Sequence, residues 1–161
     1  MSSKHYDVKT FTSARSLGYL LKLSHSLMHA AGAAAFAGHE LSFMQWLALV
    51  KLREGTETTA SGLCRMMHHD TGAFTRLLDQ LEERGLIVRQ RSEADRRVVL
   101  LELTDAGQRK IDELLPLTVG CLNGALDDFS KAEFAELTRL LNKLIDTLRA
   151  SQQPPGSGES S

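Results

Sequence analysis

Residues 59–103 read TASGLCRMMHHDTGAFTRLLDQLEERGLIVRQRSEADRRVVLLEL. Two short helical segments, Thr59 to Met67 and Asp70 to Arg84, are separated only by His68 and His69. Two helices joined by so tight a turn form a helix-turn-helix. Asp70 has the side chain of an N-cap, and Gly85 stands where a glycine closes a helix, with Leu86 placed to fold back on the last turn. Beyond Gly85 the apolar period falls from helical to nearly two, over Leu86 to Arg91 and again over Val98 to Leu103, which predicts two strands. Between them Ser92-Glu93-Ala94-Asp95-Arg96-Arg97 is polar and charged, as a hairpin tip projecting into solvent requires. The stretch therefore predicts a winged helix-turn-helix, mainly α with a small β-hairpin wing (α+β).

Longer helices flank it. From about Ser13 to Ala37, Leu17, Leu20, Leu21, Leu27, Met28 and Ala31 recur at three- and four-residue steps. Ser42-Phe43-Met44-Gln45 has the form of a capping box and opens a second helix that runs out near Gly55. After the wing, Thr104-Asp105 opens a long helix that Pro116 and Gly120 are expected to bend. Ser130-Lys131-Ala132-Glu133 is a second capping box, followed by Phe134, Leu137, Leu140, Leu141, Leu144, Ile145 and Leu148 at helical spacing. Three long apolar helices exceed what one small winged helix can cover, so a core shared by two chains is expected to bury the surplus.

Size and charge narrow the class. At 161 residues and 42% hydrophobic the chain suits one compact domain. The uncharged stretch from Leu23 to His39 is broken by polar residues and too poor in large apolar side chains to span a bilayer. The segment Met1 to Asp7 lacks the apolar core of a secretory signal, so a cytoplasmic protein is expected, with Cys64 and Cys121 as reduced thiols. A net charge of −1 argues against coating nucleic acid by bulk electrostatics but not against a local basic site. Residues 1–12 read as an N-terminal arm, 13–150 as a single domain and 151–161, rich in Ser, Gly and Pro, as a disordered tail.

Asp95-Arg96-Arg97, five residues, then Leu103-Thr104 and Gly107 match a D-x-R-x5-L-T-x2-G signature, and Leu63 to Leu86 extend the match. On these residues the chain resembles the MarR family of transcriptional regulators, over roughly Ser13 to Ala150. The resemblance implies that 13–40 and 108–150 are dimerisation helices around a winged helix-turn-helix at 42–103. It further implies a homodimer on double-stranded DNA with an inverted-repeat operator. Thr71, Gly72, Ala73, Thr75 and Arg76 then present short side chains and one long donor to the major groove. By the same resemblance Arg97 enters the minor groove, with Asp95 fixing the hairpin and orienting Arg97 or Arg96. Arg89 and Arg91 are assigned to phosphates. No catalytic residue and no cofactor are expected.

The resemblance also implies a crevice for a small effector that releases a repressor from DNA. Its expected lining is His25, Met28, His29, His39, Phe43, Met44 and Trp46, which suits an aromatic acid or a phenol. His25 and His29 lie four apart, a spacing that also suits a metal, so a zinc-responsive regulator is an alternative, although the helix after the wing carries no further histidine. No metal site is assigned. Redox control is a second alternative, weakened by the absence of any Cys before Cys64. A winged helix used as a protein-interaction module is the rival of another class. The charged wing argues against it.

Overall fold

Side-chain chemistry at the helix ends sets most boundaries in this chain. The structure, a computed structural model, describes residues 4–93 and 95–152. Its helices are α1 (Leu17–Ala35), α2 (Phe43–Glu54), α3 (Ala60–Met66), α4 (Thr71–Glu83), α5 (Asp105–Gly124) and α6 (Lys131–Gln152). The strands β1 (Ile87–Arg91) and β2 (Val99–Leu103) lie between α4 and α5. The fold is thus mostly helical with one two-stranded antiparallel hairpin, a winged helix. Among the described residues no helix is long and apolar enough to cross a membrane.

Both expected capping boxes form. Ser42 Oγ accepts the Gln45 N–H at 3.2 Å while Gln45 Oε1 accepts the Ser42 N–H at 2.9 Å. Ser130 and Glu133 make the same reciprocal pair ahead of α6. Thr59 caps α3 and Asp70 caps α4, each accepting the N–H three residues on. At the end of α4, Gly85 takes φ 67°, its N–H reaches Glu82 C=O, and the Leu86 N–H reaches back to Leu81 C=O. That pair of bonds satisfies carbonyls the helix would leave orphaned and turns the chain into β1. Glu57 fixes the approach to α3: backbone and hydroxyl hydrogen bonds from Thr59 hold its carboxyl below the usual carboxylate range.

Three boundaries differ from expectation. The first helix starts at Leu17, because Ser16 is extended (φ −74°, ψ 140°) and its Oγ accepts the Tyr19 N–H; Ser13–Arg15 form a separate 3-10 turn. It stops at Ala35, with Phe36 buried beyond it. At the other end α6 takes in Ser151 and Gln152, which were assigned to the tail; residues 153–161 lie outside the described residues. α5 runs through Pro116 as one helix.

The chain divides into two compact units, Met1–Leu122 and Asn123–Ser161. The first is built on a sealed core in which Leu49 of α2, Leu63 of α3, Phe74 and Leu78 of α4, Ile87, Leu101 and Ile111 are all under 2% exposed. Each such side chain contributes roughly 1.5–3 kcal/mol through burial. In the hairpin Ile87 pairs with Leu103, Arg89 with Leu101 and Arg91 with Val99, so all six share one face; Ile87 and Leu101 are buried in the core, Arg89 is half-buried beside them and Arg91, toward the tip, is exposed. The Leu101 N–H also donates to Thr58 C=O at 2.7 Å, which ties the wing to the start of α3. The second unit contains α6, in which no residue is buried.

Candidate nucleic-acid interface

The surface expected to meet DNA starts from the tight turn between α3 and α4. His68 adopts φ 49°, the left-handed conformation that lets the chain reverse in two residues, and Asp70 then starts α4. Thr71, Gly72, Thr75 and Arg76 are exposed and Ala73 is half-buried, so the first turns present a low surface on which little but Arg76 projects. Thr75 Oγ1 donates back to Thr71 C=O at 2.8 Å. Among the described residues Arg76 has no ion-pair partner, because Asp79, the carboxylate three residues on, is taken by Arg89.

Arg89, expected at DNA phosphates, is paired within the chain in the structure. Its guanidinium spans two carboxylates of α4, with Nη2 at 2.7 Å from Asp79 Oδ1 and Nη1 at 2.5 Å from Glu82 Oε2. Both contacts run from β1 back to the helix, so Arg89 fixes the wing against α4. Charged hydrogen bonds of this kind contribute about 1.5–3 kcal/mol, reduced here because the side chain is 28% exposed. Arg89→Ala is therefore expected to lower stability by about 1–2 kcal/mol while leaving the salt dependence of DNA binding unchanged. A phosphate contact would instead reduce the salt slope by about one, and a titration at several salt concentrations separates the two.

At the wing tip Asp95 organises the chain. Its Oδ1 accepts the Arg97 N–H at 3.0 Å and lies 3.3 Å from Arg97 Nε, while its carbonyl accepts the Val98 N–H. The Arg97 side chain is nonetheless 93% exposed, held at its base and free at its end. Arg91 and Arg96 are exposed beside Ser92 and Glu93, and among the described residues neither has an ion-pair partner. Ala94 lies outside the described residues.

The expected crevice divides into two cavities within the first unit. One, of about 320 Å³, is lined by His25, Met28, His29, Phe43 and Met44, joined by Leu47, Met67, His68 and His69. The other, of about 340 Å³, shares His29, Phe43 and Met44 and adds His39. Trp46 lines neither. It is 4% exposed, donates from Nε1 to Ile111 C=O at 3.2 Å and stacks on Phe43 at 6.4 Å, so it forms the wall behind the lining. The participation of His68 and His69 was missed because the sequence shows them only as a turn; their position under α1 is set by tertiary packing. Among the described residues no Lys, Arg, Asp or Glu lines either cavity. His25 and His29 stack with centroids 6.3 Å apart. Among the described residues no three His, Cys, Asp or Glu side chains converge as a metal site. Cys64 is buried, its Sγ 3.2 Å from His69 O, and Cys121 is half-buried; both are free thiols.

This geometry has counterparts among known proteins. The MarR family profile matches residues 41–99. The organic hydroperoxide resistance transcriptional regulator of Bacillus subtilis is 32% identical over 108 residues, 67% of this chain and 72% of that protein. The chain belongs to the MarR family. It is a DNA-binding transcriptional regulator, as its MarR-family relatives are, and not an enzyme. Two solved structures share the fold at lower identity. A cysteine-to-serine mutant of Escherichia coli MarR, complexed with operator DNA, has 24% identity and a TM-score of 0.70, covering 86% of this chain and 99% of that one. Bordetella bronchiseptica BpsR, whose DNA binding is regulated by 6-hydroxynicotinic acid, has 22% identity and a TM-score of 0.72, covering 84% and 97%.

Proposed function

We propose that this MarR-family chain is a homodimeric repressor that binds an inverted-repeat operator and is released by a small aromatic acid or phenol. The observation that carries the DNA reading is the wing tip, where Asp95 spends its carboxylate on Arg97 and leaves that guanidinium 93% exposed. Arg97 then enters the narrow minor groove, where the negative potential is focused. Residues Thr71 to Arg76 meet base edges in the major groove. Arg91 and Arg96 neutralise phosphates. That a relative of the same fold, E. coli MarR, is found in complex with operator DNA supports the DNA reading.

Arg97→Ala is expected to weaken operator binding by about 1–3 kcal/mol without altering fold or dimer, since the side chain is 93% exposed and among the described residues pairs with Asp95 alone. Binding isotherms across salt concentrations test it. Unchanged affinity and an unchanged salt slope would show that the wing is not a DNA element.

The dimer is supported by apolar surface that one chain leaves uncovered. Leu17, Leu20 and Leu27 on α1 are 44%, 47% and 62% exposed, and Phe134, Leu140 and Leu148 on α6 are 47%, 47% and 50% exposed. Such faces call for a partner, and a closed two-fold pair is the commonest solution. The recognition helices then sit about one DNA turn apart, roughly 34 Å.

The effector reading is supported by the mixed aromatic, thioether and imidazole lining of the crevice and by the hydroxypyridine acid that regulates the Bordetella protein. An imidazole donates to a carboxylate or phenolate and, once protonated, attracts it further. By linkage, the effector and DNA must weaken each other by the same factor, on the order of 5–150-fold. Trp46 stacks on the lining residue Phe43, so its fluorescence is expected to respond to hydroxybenzoate- and hydroxypyridine-type acids and to lose that response in His25→Ala and His29→Ala. If zinc alone changes operator affinity while none of these acids moves Trp46 emission, the histidines are metal ligands and the effector reading fails.

A further inference from the structure

We propose that Gln45 is a positioning residue for operator recognition: it ties the pose of recognition helix α4 to the state of the crevice. The proposal rests on the reading of α4 as the helix that enters the major groove. Gln45 is 6% exposed, and both ends of its amide are in use. Oε1 accepts the Ser42 N–H at 2.9 Å and closes the capping box of α2, while Nε2 donates to Gln80 Oε1 on α4 at 2.8 Å. A capping box needs only the first of these bonds. The second crosses 35 residues of sequence and holds the last turn of α4 to the first turn of α2.

That first turn is also crevice wall. Phe43 and Met44, the two residues before Gln45, line both cavities. Phe43 has little freedom of its own: a Cβ added to Gly32 of α1 would come within 2.9 Å of its ring, and the ring also stacks with Trp46 at 6.4 Å between centroids. A molecule that displaces Phe43 therefore moves the turn as a whole. Gln45 moves with it, because its amide would otherwise be left buried without a partner. Gln80 lies one helical turn beyond Arg76, so a shift transmitted there re-aims the surface that meets base edges. A chain of two discrete, hydrogen-bonded contacts is the kind of element both sites can bias.

The test uses the full chain and a duplex that the wild-type protein selects from a random-sequence library, with an unrelated duplex as the non-specific reference. Gln80→Leu and Gln45→Met are each expected to weaken the selected duplex about 3- to 10-fold, with little change on the reference duplex. The double variant should lose no more than either alone, because one bond is broken in all three. Gln45→Glu should restore binding: the carboxylate still accepts the Ser42 N–H, and the Gln80 amide turns over to donate to it. Phe43→Leu should weaken the selected duplex in the wild-type background and have no further effect with Gln80→Leu. Additive losses would mean that Gln80 touches DNA by itself, and parallel losses on both duplexes would mean general destabilisation. Either result overturns the proposal, as does a Phe43→Leu effect that persists with Gln80→Leu. Should Gln45→Met fail to fold, the Phe43 and Gln80 cycle decides alone. A wild-type protein that selects no duplex removes the DNA reading and this proposal together, whereas normal selection with a failed cycle removes only the proposal.

Discussion

Removal of everything after Asp128 is expected to abolish tight operator binding. The deletion takes away α6, whose 22 residues include none that is buried in the single chain. Its apolar side chains recur at three- and four-residue steps, and Phe134, Leu137, Leu140, Ile145 and Leu148 are each 39–50% exposed. Completing the burial of each contributes roughly 1 kcal/mol, so five from each chain supply a substantial part of a dimer interface. Without it each recognition helix meets its half-site alone. The loss of the second, linked half-site costs a factor of about 100 to 10,000 in affinity. Sedimentation should show monomer or aggregate, and a mobility shift on the selected operator should vanish at concentrations that saturate the full chain. A truncated protein that remained dimeric, or bound operator as tightly as before, would place the interface elsewhere.

Gly107→Ala is expected to cost about 2–4 kcal/mol of stability, near the upper end for overpacking, because the obstacle is backbone. A Cβ at this position would overlap the Leu86 carbonyl oxygen and lie 2.7 Å from Leu103 Cδ1. The Leu86 carbonyl cannot simply retreat, since it accepts the Thr104 N–H at 3.1 Å, and Thr104 Oγ1 in turn donates to Gly85 C=O at 2.7 Å. Relief therefore requires moving the base of the wing or the start of α5. In a chain of this size the melting temperature should fall by roughly 5–15 °C. A variant that melts with the parent would show that the wing base yields cheaply.

The same contacts indicate what sequence could and could not disclose. Ser42, Asp70, Gly85 and Ser130 act on atoms within a few residues of themselves, so capping boxes, an N-cap and a helix stop were legible from spacing alone. The helix-turn-helix and the hairpin followed from them. The ion pairs of Arg89 were not legible, because its partners Asp79 and Glu82 lie on another element, ten and seven residues back, and a strand arginine gives no local sign of facing a helix. Trp46 was placed in the crevice on its chemistry, whereas its indole N–H satisfies Ile111 C=O, 65 residues away in sequence. His68 and His69 went unnoticed as lining for the converse reason. Their local role as a turn was complete, and nothing in the sequence signalled a second one. The start of α1 was missed by four residues because periodicity continues across Ser16, while hydrogen bonding does not.

The base of the wing also bears on how such a regulator acquires new targets. Gly85, Leu86, Thr104 and Gly107 hold the two ends of the hairpin together whatever lies between Ser92 and Val98. Lengthening the tip therefore adds only the closure entropy of a longer loop, about 0.6 kcal/mol for each doubling. The reach of the tip and the chemistry it presents can drift over generations without endangering the fold that carries them. Substitutions in α4 have no such freedom, because that helix supplies Phe74, Leu77, Leu78 and Leu81 to the core. A change in length at the tip is thus cheaper for stability than a substitution on the core face of the helix.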